Sequence, residues 1–131
     1  PEGKRYETVE VKVRRLDEVL CKEDLAGPVL LKVDTEGYEL KVLEGAVNLF
    51  PYIDLIFVEA SVLKRFHDSY TFYELMSFLR TNGFDIFQVL TANKDKRGLI
   101  RFMDILFAKE AFLAEWAGGG DYYERRVHGV D

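Results

Sequence analysis

The sequence is poor in the features that mark several classes of protein. It has one cysteine, Cys21, so it cannot form an internal disulfide and nothing in it demands an oxidising compartment. It has no apolar run near the roughly 20 residues that span a bilayer and no secretory signal pattern, so a cytoplasmic location without a membrane partner is expected. It also lacks a basic excess. Eighteen Lys and Arg face 23 Asp and Glu, a net charge of −5. Phosphate contacts need surplus Lys and Arg, so nucleic acid is not the expected partner. No internal repeat is visible, and Gly118-Gly119-Gly120 is the one low-complexity stretch. What is present is an ordinary globular composition, 48% hydrophobic and 14% aromatic in 131 residues, enough for one domain. The first residue is Pro1 rather than Met, which suggests a processed or excised chain.

Periodicity predicts an α/β order. Val9, Val11 and Val13 alternate with polar residues over 7–16, the pattern of a half-buried strand. Asp17 is placed to cap a short helix over 18–25, with Val19, Leu20 and Leu25 inward, and Gly27-Pro28 stops it. Val29–Val33 is nearly all apolar, as in a strand covered on both faces, and Asp34 ends it. A helix is expected over 37–50, with Leu40, Leu43, Ala46, Val47 and Phe50 on one face. Glu36 and Glu39 stand at its positive end, and Pro51 stops it. A second buried strand, 54–59, ends in Glu59. Residues 60–70 read as a loop or a broken helix. Thr71 and Glu74 form a capping-box pattern for a helix to about Thr81, with Phe72, Leu75, Met76 and Leu79 inward. Asn82-Gly83 ends that helix. Phe84–Leu90 reads as a third core strand, 91–98 as a turn or short loop, and Ile100–Phe107 as a last strand antiparallel to it. A short helix over 109–117 and a Gly-led polar tail over 118–131 complete the chain. Alternation of this kind builds an open α/β sheet, whose ligands bind at the carboxyl ends of its strands.

Asp34 and Glu59 occupy such ends, and Glu36 lies in the turn after Asp34, followed by Gly37, where the backbone can bend or approach a ligand closely. If the two strands are neighbours, Asp34, Glu36 and Glu59 converge on one edge. Three carboxylates can hold a hard cation, bind an amino group, or supply a general base whose pKa is raised by its neighbours. They can equally be plain caps of strands and helices.

The run Asp34-Thr35-Glu36-Gly37-Tyr38-Glu39 lies between Leu-Leu-Lys-Val and Leu-Lys-Val-Leu-Glu-Gly-Ala. It resembles the signature of FkbM-type methyltransferases, approximately Leu-Lys-Ile-Asp-x-Glu-Gly-x-Glu-x-x-Val-Leu-x-Gly-Ala. Leu16-Asp17-Glu18, Phe57-Val58-Glu59, the stretch from Phe78-Leu79 to Asn82-Gly83-Phe84, and Met103–Ala108 resemble flanking segments of that family, so the likeness spans about residues 7–108. It implies S-adenosylmethionine-dependent methyl transfer, usually to an oxygen of a small molecule or a sugar. The implied fold is a Rossmann-like class I methyltransferase sheet of seven strands, the last two forming an antiparallel β-hairpin. One departure stands out. The family's glycine-rich turn after the first strand, and the acid ending its second, have no counterpart before residue 29, and Gly118–Gly120 follows the last strand. The chain therefore reads as the C-terminal portion of the domain over 1–117, with the first three strands and most of the cofactor pocket upstream and the tail at 118–131. By the resemblance, Asp34 is the active-site acid (base, cofactor contact or metal ligand) and Thr35 a second cofactor contact. Glu36 is a ligand or orienting group and Glu59 a further acid. A divalent metal is left open. The open edge of an incomplete sheet allows a homodimer.

Other residues carry less. His67 could act as a base near neutral pH but reads first as a surface residue. His128 has no visible partner. Cys21 reads as a small buried or half-exposed residue. Lys64-Arg65 and Lys94–Arg97 read as solvated loop charges. Phe72 reads as core, and Phe66, Tyr70 and Tyr73 as lining for an acceptor pocket or packing for a further segment. Two other functions compete with the enzyme: a non-catalytic α/β interaction module lacking the cofactor half, and a receiver-like switch domain. The second is weak, because the acidic pair and the strand-end lysine it needs are missing.

Overall fold

A computed structural model of the chain describes residues 7–116. The polar tail over 118–131, with Tyr122, Tyr123, Arg125, Arg126 and His128, lies outside the described residues. The elements are β1 (Leu30–Val33), α1 (Glu39–Glu44), β2 (Leu55–Ser61), α2 (Phe72–Thr81), β3 (Phe84–Lys94), β4 (Ile100–Lys109) and α3 (Glu110–Trp116), with three short 3₁₀ turns. The four strands form one mixed sheet in the order β1-β2-β4-β3. β1 and β2 are parallel. β4 runs antiparallel to both β2 and β3.

The sheet has one covered face. Val33 pairs with Val58 and Val58 with Ile105, and all three are buried. They join Leu43 of α1 and Leu75 and Leu79 of α2 in a single core cluster. The period of two sends Lys32, Phe57 and Leu106 to the opposite face. There the Lys32 ammonium lies 5.7 Å from the Phe57 ring centroid.

Several expectations are corrected. Residues 7–15 form no strand. Val9, Val11 and Val13 are 70–86% exposed, because no neighbouring strand among the described residues pairs with them. The helix expected at 18–25 is replaced by two 3₁₀ turns, Leu16–Glu18 and Lys22–Asp24, and Val19 is exposed while Leu20 and Leu25 pack on the core. Asp17 does act as a cap, but for a distant turn: its carboxylate accepts from the Asn48 N–H, 31 residues away. β1 is covered on one face and not both: Val33 is buried, whereas Leu30 is 57% exposed and Lys32 faces solvent.

The helix expected over 37–50 breaks in two, α1 and a 3₁₀ stretch Val47–Tyr52 that contains Pro51. The chain at Arg15–Asp17 crosses the break. Arg15 donates to the Glu44 carbonyl and the Asp17 N–H to the Gly45 carbonyl, so those carbonyls are taken before the helix can continue. β2 runs two residues past Glu59, to Ser61. β3 extends to Lys94 and shrinks the expected loop to a turn at Asp95–Leu99, where the Asp95 carboxylate accepts from the N–H groups of Arg97 and Leu99. Beyond Phe84, β3 is not a core strand: Val89 and Leu90 are about half exposed.

α2 follows its pattern closely. The Thr71 hydroxyl accepts from the Glu74 N–H, and the Thr71 N–H donates to the Glu74 carboxylate at 2.6 Å. Gly83, at φ +82°, turns the chain into β3. Thr71→Ala is expected to cost about 1 kcal/mol, read as a shift in the urea unfolding midpoint. An unchanged midpoint would mean that the cap contributes nothing. Among the described residues no helix is long and apolar enough to cross a membrane.

Candidate functional site

The carboxyl end of β1 turns sharply through Asp34–Gly37. Glu36 sits at φ +54° and Gly37 at φ +120°. The first is uncommon for a residue with a side chain, and the second is a glycine conformation. Space also requires glycine: a Cβ on Gly37 would lie 2.6 Å from the Phe66 ring and 3.0 Å from the Arg65 Cβ. The Phe66 ring also packs on Tyr38, centroids 5.0 Å apart.

Glu39 holds the turn closed. It is fully buried. Its carboxylate accepts from the Thr35 N–H at 3.0 Å, the Thr35 hydroxyl at 3.2 Å, and the Gly37 N–H at 3.0 Å to both oxygens. Burial alone would raise its pKa. The hydrogen bonds from Gly37, Tyr70 and Thr35 reverse this, and the group titrates below the ordinary glutamate range. The helix dipole, worth about 0.3–1 kcal/mol, cannot account for a carboxylate whose burial costs several kcal/mol. The hydrogen bonds can. The Tyr70 hydroxyl, pushed up by burial and by Glu39, accepts from the Ser61 N–H at 3.0 Å. Ser69 donates to the Gly37 carbonyl at 3.1 Å.

Along the uncovered face the sequence-predicted acids form a row. Glu59 pairs in register with Asp104, and Asp34 follows Val33, whose partner precedes Glu59. Burial first, then the charges of Asp34, Asp104 and Glu36, raise the Glu59 pKa against the pull of Arg65. The expected convergence of Asp34, Glu36 and Glu59 is thus an electrostatic neighbourhood. Among the described residues no group of three or more His, Cys, Asp and Glu is placed to hold a metal ion. Lys32 donates to Asp34 at 3.1 Å, and both side chains face solvent. Glu36 is exposed, and the hydroxyl of Thr35 is committed to Glu39.

Four residues escaped the sequence reading or were assigned elsewhere. Arg65 is not a solvated loop charge. It donates to Glu59 at 2.9 Å and to Ser61 at 3.1 Å, and stacks on Phe102, 5.3 Å from its centroid. Asp104 joins the row through the β2–β4 register, a long-range pairing. Glu39 looked like a helix-dipole charge, yet it closes the turn. Tyr70 is buried beside that network and also lines the cleft at whose mouth His67 stands. His67 faces solvent beside Asp68 at the rim of a cleft of about 450 Å³, which is also lined by Tyr38, Lys41 and Lys64. Tyr73 is exposed, as is Cys21, whose thiol is pushed up by Asp24 and Glu23.

Comparison with curated proteins and with solved structures gives no match. The family model of the methyltransferase FkbM domain matches residues 1–86, a segment that contains β1, the Asp34–Gly37 turn, α1, β2 and α2. With 86 of its 131 residues in that match, the chain belongs to the FkbM methyltransferase domain family.

Proposed function

We propose that the protein transfers a methyl group from S-adenosylmethionine to a hydroxyl oxygen of a small molecule or sugar, with the turn after β1 on the acceptor side of the site. The observation that carries this reading is that the family match covers the closed acidic turn at the carboxyl end of a parallel strand. Open α/β sheets bind their ligands at that edge. The strand order, a parallel pair followed by an antiparallel pair, suits the second half of a Rossmann-like class I sheet, with β3 and β4 as its terminal hairpin.

The donor set fits the cationic end of the cofactor, being anionic, oxygen-bearing and open to solvent. Bound there, the cofactor supplies an electrophilic methyl group. Asp34 would hold the sulfonium end, and its carboxylate would accept the hydroxyl proton of the acceptor. The Thr35 backbone adds a contact, Glu36 orients the acceptor, and Glu59, paired with Arg65, steadies the row. Alignment of the reactants and removal of one proton are what this reaction asks of the protein. A glycine-rich turn for the adenosine end is not among the described residues.

Calorimetric titration of the full natural chain with S-adenosylhomocysteine tests the reading. Saturable one-site binding is expected, and no heat from a folded chain overturns it. One observation favours a second reading, an interaction module: among the described residues no strand pairs with the outer edge of β1, and Val9, Val11 and Val13 are exposed. A folded full chain that ignores the cofactor product and dimerises would support that reading.

A further inference from the structure

Glu39 touches neither solvent nor the open row of acids, yet its buried carboxylate accepts from the Thr35 N–H and hydroxyl and from the Gly37 N–H. Its bonds hold Thr35 and Gly37, fixing a turn in which Glu36 takes a positive φ that residues with side chains seldom adopt. The segment after β2 meets the same turn: Tyr70, whose hydroxyl accepts from the Ser61 N–H, lies beside Glu39 and helps to lower its pKa. Ser69 closes the ring onto the Gly37 carbonyl, and the Phe66 ring fills the space a side chain on Gly37 would take. The segment so anchored carries Arg65, the partner of Glu59.

We infer that Glu39 is a positioning residue: by holding Thr35 and Gly37 it fixes the turn after β1 where Ser69 ties it to the segment after β2, and so sets Asp34 relative to Glu59. This inference rests on the methyl-transfer reading. It differs from the expectation of a helix-start charge, because a dipole contact would leave Glu39 at the surface and the turn unheld. Displacement of a reacting group by about 1 Å can cost about a hundredfold in rate, so a carboxylate behind the site can matter as much as one within it.

The test uses the full chain and S-adenosylhomocysteine. Glu39→Gln keeps the shape and one carbonyl acceptor but sets an NH₂ against the Gly37 N–H, which in the wild type donates to both carboxylate oxygens. Its affinity is expected to fall by about tenfold or more, with the Gly37 amide resonance moving upfield in the ¹H–¹⁵N spectrum. Leu43→Ala is the control for a merely structural role. It loosens the same helix from the core, so its melting temperature falls while affinity and the Gly37 resonance hold. Tyr70→Phe removes only the hydroxyl that holds the Ser61 N–H beside Glu39, and a smaller loss of affinity is expected; it serves as well if Glu39→Gln does not fold. Wild-type affinity in both Glu39→Gln and Tyr70→Phe, or an equal loss in Leu43→Ala, overturns the inference. A wild-type chain that does not bind the product overturns the methyl-transfer reading itself, an outcome distinct from a wild type that binds alongside an unaffected Glu39→Gln.

Discussion

Asp34→Asn is expected to slow methyl transfer by about 10²–10⁴-fold, the contribution of a positioned general base. The substitution is nearly isosteric. It keeps an oxygen for the Lys32 ammonium, which sits 3.1 Å from the carboxylate, and it leaves the Glu39 hydrogen bonds to Thr35 and Gly37 untouched. What it removes is the ability to take a proton from the acceptor. The loss should therefore appear in kcat, with little change in KM for S-adenosylmethionine, measured by transfer of a labelled methyl group to the acceptor that the wild type uses. A KM effect with kcat intact would make Asp34 a cofactor contact alone. Retention of both constants would remove it from the site. Glu59→Gln should cost less, since Glu59 is engaged by Arg65 at 2.9 Å.

Phe84→Ala should cost about 3–5 kcal/mol, the usual range for emptying a buried phenylalanine position. Phe84 is 1% exposed and meets Phe50 edge-on, centroids 5.3 Å apart, and Phe50 meets Phe78 in the same way. This aromatic column joins the start of β3 to the 3₁₀ turn before β2 and to α2. Whole-domain stability is of order 5–15 kcal/mol, so the loss would leave the domain near its unfolding threshold at 37 °C. Leu90→Ala, on the same strand but 46% exposed, should shift stability by no more than about 0.5 kcal/mol. Urea midpoints for the two variants check the contrast. Equal shifts would mean that the Phe50–Phe84 contact is not a core contact.

The sequence was most legible where the determining interactions are local. The Thr71–Glu74 box, the Asn82-Gly83 stop and the inward set Leu75 and Leu79 are decided within one or two helical turns, and all are found as read. The reading failed where a distant segment intervenes. Residues 37–50 have helical periodicity throughout, but Arg15 and Asp17 take the carbonyls at 44 and 45 and end α1 early. Residues 7–15 have strand alternation, but alternation needs a partner strand, and none of the described residues supplies one.

The site divides in the same way. The run Asp34–Glu39 by itself pointed to the family and the acidic strand end, because a signature of consecutive residues is visible without a fold, whereas the need for glycine at 37 comes from Phe66 and Arg65 closing over it. Tertiary structure alone decided which carboxylate faces outward and which is buried. Asp34 and Glu59 lie on the uncovered face, while Glu39, three residues after Glu36, turns inward to meet Tyr70 from across the site. It also decided that Asp104 and Arg65 belong to the row, through the β2–β4 register and a link to Glu59. The physical reason is that charge is read from composition, whereas burial and hydrogen-bond partnership depend on segments tens of residues apart meeting in space.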